Sequence, residues 1–93
     1  MEQVGDEAMT LPTIHMNGTS RGALSDALRE AASKLRDARA AIQETSPNGR
    51  DYYLQGPNAI RAATIEHVER LRKLDAVYDE IYALYEAVEN AGS

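Results

Sequence analysis

The chain contains no cysteine, tryptophan or phenylalanine, and its only aromatic residues are five tyrosines. Without cysteine there is no disulfide, no thiolate metal site and no thiol nucleophile. No apolar run approaches the roughly twenty residues that a membrane span needs. The first twenty residues hold no Lys or Arg and no continuous apolar core, so a secretory leader is not expected there. Cations are scarce as well. Ten Lys and Arg stand against fifteen Asp and Glu, a net charge of −5, which disfavours duplex DNA binding, because sequence-independent affinity comes from cations neutralising phosphates. Catalytic motifs are equally thin. Glu66-His67 lacks the second His of a helical zinc motif, His15 has no identifiable carboxylate partner, and no Gly-rich phosphate loop is present. The expectation is a cytoplasmic protein that is not an enzyme and carries neither metal nor cofactor.

What charge there is has a pattern. All ten basic residues lie between Arg21 and Lys73, where seven acids leave a balance of +3, whereas the segment before is −3 and the segment after is −5. A basic middle between acidic ends suits a small anion and repels long polyanions. For most of these charges singly, solvation of a helix face is the plainer role.

Two heptad seams dominate the chain. Leu24, Leu28, Ala31, Leu35, Ala38 and Ile42 alternate spacings of four and three, as do Ile60, Thr64, His67, Leu71, Leu74, Tyr78, Ile81, Tyr85 and Val88. They predict an all-α fold of two long antiparallel helices, a helical hairpin, with helices at about 20–45 and 57–90. Thr19 and Ser20 offer N-cap hydroxyls, Pro47 disfavours helix at Ser46, Pro57 suits a first turn, and Gly92 supplies a stop. Residues 1–11 lack periodicity and read as a loosely attached arm. Thr13 to Met16 read as a short extended segment followed by the polar turn Asn17-Gly18, and 12–93 form a single domain. A free helix N-terminus there would also suit an anion. Val68, Val77, Leu84 and Ala87 are expected to form a further apolar edge on the second helix. A hairpin this small is marginal alone, so self-association is expected.

The link Ser46 to Pro57 is unusually rich, with an Asn48-Gly49 pair suited to positive φ, Arg50-Asp51, and Tyr52-Tyr53. The tyrosines either cap the hairpin corner or face a ligand, and the sequence leaves both open. On the second helix, Thr64 and His67 interrupt the apolar seam. A lone His on such a face is more often a hydrogen-bonded core residue than a ligand-binding one. Arg70 one turn on and Arg61 two turns earlier supply donors that suit phosphate.

Thr13 to Ser20 with Asn17-Gly18-Thr19-Ser20, then Pro47-Asn48-Gly49-Arg50-Asp51-Tyr52-Tyr53, then Glu66-His67 with Arg70, together resemble a family of small phage helical-hairpin proteins that includes the anti-CBASS and anti-Thoeris nucleotide sponges. The resemblance covers most of the chain from Pro12 to about Val88. It implies a homohexamer that sequesters cyclic di- or trinucleotides, or cyclic ADP-ribose derivatives, uncleaved, and so blocks a host alarm signal. Arg29 stands in it for a pocket lysine, and a stacking tyrosine of some members has no counterpart in 1–11. With the residue reading it gives an expected ligand set of Asn17, Thr19, Ser20, Arg29, Arg50, Tyr52, Tyr53, Arg61, Thr64, His67 and Arg70. The alternative expectation is a coiled-coil oligomer serving as a structural or protein-interaction module.

Overall fold

The computed structural model describes residues 9–15 and 17–91. Most of the expected arm, together with Met16 and Gly92, lies outside them. Among the described residues the architecture is all-helical, with α1 spanning Arg21–Gln43 and α2 spanning Pro57–Ala91. The two pack against each other along their apolar seams and are joined by two turns of 3-10 helix, Gly49–Asp51 and Tyr53–Gln55. No strand is present among the described residues, and the expected extended segment before α1 is irregular, ending in a turn in which the Gly18 amide donates to the His15 carbonyl.

Local chemistry explains each boundary. Ser20 is the N-cap of α1, its hydroxyl accepting from the Ala23 amide at 3.1 Å, which satisfies one of the orphan donors of the first turn. The C-terminal end tightens into i→i−3 bonds from Glu44, Thr45 and Ser46 and stops before Pro47. In the link, the Asn48 side chain accepts from the Arg50 amide at 3.0 Å and donates to Asp51 at 3.2 Å, closing the first 3-10 turn. Positive φ falls at Gly56, with φ 100° and ψ 165°, and not at the expected Asn48-Gly49 pair. The chain must reverse into α2 immediately before Pro57, whose ring requires an extended ψ of the preceding residue.

The helices are antiparallel in even register. Arg39 lies opposite Asp75 and Ser25 opposite Glu89, fourteen residues apart on each helix. Continuing that register brings the end of α1 at Gln43 level with Leu71, so residues 57–70 of α2 extend beyond α1 and face the link. At 1.5 Å per residue α2 is about 52 Å long, and the molecule measures 61 × 31 × 18 Å. Its radius of gyration, 18.6 Å, compares with about 12 Å for a compact domain of this length.

The interior is correspondingly thin. Among the described residues the buried ones are Ser25, Ala32, His67 and Val88, while Leu24, Leu28, Leu35, Leu74 and Ile81 are half-buried. Two seam assignments need correction. Ala38 is exposed and Arg39 takes its place facing α2, because a straight helix drifts about 20° per heptad from a strict seven-residue repeat. Thr64 is also exposed, its hydroxyl returned to the Ile60 carbonyl at 2.8 Å. The expected further edge divides as well. Val68 and Val77 are nine residues apart, which at about 100° per residue sets them on opposite flanks of α2.

A tyrosine and arginine groove between the helices

The residues expected to bind ligand do not converge within one chain. Asn17, Thr19 and Ser20 are exposed at the open end of the hairpin, where Arg21 donates to the Glu89 carbonyl at 3.3 Å and the Ser25 hydroxyl donates to the Glu89 carboxylate. Arg50, Tyr52 and Tyr53 sit in the link beyond the far end of α1, a helix about 35 Å long at the standard rise. Tyr52 is half-buried and Tyr53 is 72% exposed. Arg61, Thr64, His67 and Arg70 are spaced by three, and each step rotates about 300° around the helix, so Arg61 and Arg70 lie on opposite sides. Arg70 lines a shallow recess with Ile65, Glu66, Glu69 and Lys73.

His67 is buried, and its Nδ1 finds no hydrogen-bond partner among the described residues. It is thus neither the satisfied core histidine nor a residue open to solvent. It sits on the seam face of α2, in the part that extends beyond α1, where the link replaces a helix as the neighbour.

A different constellation lies midway along the hairpin. Tyr78, Tyr82 and Tyr85 follow i, i+4, i+7 spacing and form a ladder. Tyr78 and Tyr82 stack with centroids 6.0 Å apart and rings 13° from parallel, and Tyr82 meets Tyr85 at 5.6 Å and 39°. Beside it, Arg29, Ala32, Ser33, Arg36 and Asp37 of α1 face Tyr78 and Tyr82 across a groove of about 340 Å³. An adjoining recess of about 200 Å³ continues along the same side past Leu35, Arg39, Leu74 and Asp75, sharing Arg36 and Tyr78.

Electrostatics divide the three arginines. Arg39 forms a forked pair with Asp75, Nε to Oδ1 at 2.6 Å and Nη2 to Oδ2 at 3.1 Å, which holds the Asp75 carboxyl below the usual range and raises the Arg39 guanidinium. Arg29 rests on Asp26 at 2.9 Å as an exposed surface pair. Arg36 has no carboxylate within ion-pair distance among the described residues. A guanidinium with no carboxylate partner among the described residues, lining one groove with a stacked tyrosine pair, suits a ligand that joins a flat ring to an anion. Arg29 is the one member of the expected ligand set in this groove. Arg36, Tyr78 and Tyr82 were not in that set, although the i, i+4, i+7 tyrosine spacing was a readable signal.

Among the described residues no three His, Asp or Glu are grouped to hold a metal, and no helix is long and apolar enough to cross a membrane. Comparison with protein-family models, curated proteins and solved structures finds no match to this chain.

Proposed function

We propose that this chain is a non-catalytic binding protein that self-assembles and captures a cyclic oligonucleotide, or a cyclic ADP-ribose-type molecule, without cleaving it. The observation that carries the reading is Arg36, without an acidic partner among the described residues, beside the stacked Tyr78 and Tyr82 rings in an open groove of small-ligand size. Base stacking on tyrosine is worth about 1–3 kcal/mol per base and tolerates any base, and an arginine fork adds a phosphate contact. The thin interior supports assembly, since a hairpin with so few buried residues gains most by covering its exposed faces. In this reading the scattered Arg50 and Arg70 serve ligand binding where copies meet, and the biological role is that of a phage sponge that removes a host defence signal, with an even-order oligomer such as a hexamer.

The test is thermal melting against a panel of cyclic di- and trinucleotides and cyclic ADP-ribose isomers, with the nucleotide recovered from denatured protein. A ligand at one hundred times its dissociation constant adds about 2.7 kcal/mol. The expected result is a raised melting temperature for at least one ligand, recovered intact, and loss of the shift in Arg36→Ala and Tyr82→Ala. No shift with any of them sinks the reading and favours a protein-interaction module, which the exposed Tyr53 and Leu54 of the link, 72% and 85% accessible, would serve.

A further inference from the structure

A second heptad runs along the flank of α2 that borders the arginine groove, one residue round from the seam that meets α1. Ile65, Val68 and Tyr82, exposed by 59%, 49% and 42%, lie on it and leave apolar surface that α1 does not cover. Arg61 and Arg72 occupy its first half, and Asp75, Asp79 and Glu86 its second. From 61 to 86 the spacing alternates four and three, the repeat of a helix–helix seam. The charge of the whole helix follows suit. Residues 57–73 hold four cations and two acids, a balance of +2, and residues 74–91 hold five acids and no cation.

The strip is also symmetric about the point between Lys73 and Leu74. Positions 61 and 86, 65 and 82, 68 and 79, and 72 and 75 are pairwise equidistant from it. A two-fold axis through that point sets each residue against its equidistant counterpart in a second copy. Arg61 then meets Glu86, Arg72 meets Asp75, and Ile65 meets Tyr82, while Val68 against Asp79 is the one pair without complementarity. Parallel alignment would instead stack Arg61 on Arg61 and Glu86 on Glu86.

We propose that this strip of α2 is an isologous interface, and that a second copy of this chain binds it antiparallel with Arg61 against Glu86 and Ile65 against Tyr82. Asp75 is already held by Arg39, so the Arg61–Glu86 pair and its two-fold repeat decide the alignment. The strip spans about 38 Å from Arg61 to Glu86 at the helical rise. Tyr82 belongs both to this strip and to the rim of the arginine groove, so the second copy's Ile65 closes the groove's outer side. The interface deepens the assembly part of the function proposed above and does not depend on which ligand is captured.

Charge exchange tests it. By light scattering the wild type is expected to run at an even multiple of the 10.2 kDa chain mass. Arg61→Glu and Glu86→Arg each place like charges together twice per pair and raise the dissociation constant about tenfold. The double variant Arg61→Glu/Glu86→Arg restores the attraction and the wild-type mass. Both side-chain positions are solvent-facing in the single chain, and circular dichroism checks that all three variants retain helix. A wild type that stays at the monomer mass at 100 μM, or a double variant as weak as either single one, overturns the antiparallel interface. Calorimetry with cyclic dinucleotides is read separately. A monomer that binds nucleotide removes the interface and leaves the capture reading, and an oligomer that binds none does the reverse.

Discussion

At the residue scale, two positions carry costs that the rest of the fold must offset. Gly56 adopts φ 100° and ψ 165°, a region in which a Cβ is strained whatever space surrounds it, and nothing lies within 4 Å of the position such an atom would take. The penalty is therefore backbone strain alone. Gly56→Ala is expected to lower stability by about 1–3 kcal/mol, read from urea unfolding, whereas Gly49→Ala, at negative φ and open space, should cost much less. His67 has the opposite sign. A buried ring nitrogen without a partner loses its hydration and gains no bond in return, so His67→Leu, which removes the polar atom and fills similar volume, is expected to raise the melting temperature. A lower melting temperature in His67→Leu would mean that Nδ1 is satisfied in solution, and that the histidine holds the link to α2 through a bond.

At the level of the elements, the two helices and the link between Pro47 and Pro57 were legible because heptad spacing and proline placement act locally. Helix ends came within two residues of expectation for the same reason. The seam's polar members were not legible. Periodicity assigns a face to each residue but not the extent of its partner, and α1 ends level with Leu71, so Thr64 has no helix to meet. The arginine groove was hidden because Arg36 and Tyr82 are far apart in sequence and meet only through the pairing register. That register is held by the forked Arg39–Asp75 pair, and it has a pH signature. The Asp75 carboxyl is held below its usual range, first by the hydrogen bond from Arg39, so the unfolded chain takes up a proton before the folded one does. The pair's contribution is present above the ordinary carboxylate range and is lost as pH falls through the lowered folded value. Asp75→Asn should flatten that part of the acid decline in melting temperature while changing little of the remaining acid limb, and an unchanged acid limb would assign the decline to other carboxylates.

For the molecule as a whole, the decisive quantity is how little one chain buries. Two apolar side chains are buried among the described residues, in a body whose radius of gyration exceeds that of a compact domain by half. Half-buried leucines each recover only part of the 1.5–3 kcal/mol, roughly, that complete burial supplies, while ordering each residue still costs about 1–2 kcal/mol of backbone entropy. The proposed association would supply much of the remaining stability, and association is a mass-action term. Diluting a dimeric assembly one hundredfold withdraws about 2.7 kcal/mol. At about 2–4 °C per kcal/mol for a unit of some 190 residues, the melting temperature should fall by about 5–10 °C. Raising ionic strength should move it the same way, because the proposed interface on α2 would align its copies through exposed charges that salt screens over about 8 Å at physiological concentration. Scanning calorimetry or tyrosine fluorescence from 1 to 100 μM measures the first effect, and a salt series at fixed concentration the second. A melting temperature independent of concentration would require a hairpin stable by itself, which the burial of these side chains does not support, and would remove the energetic basis for reading the exposed faces of α2 as surfaces that other copies cover.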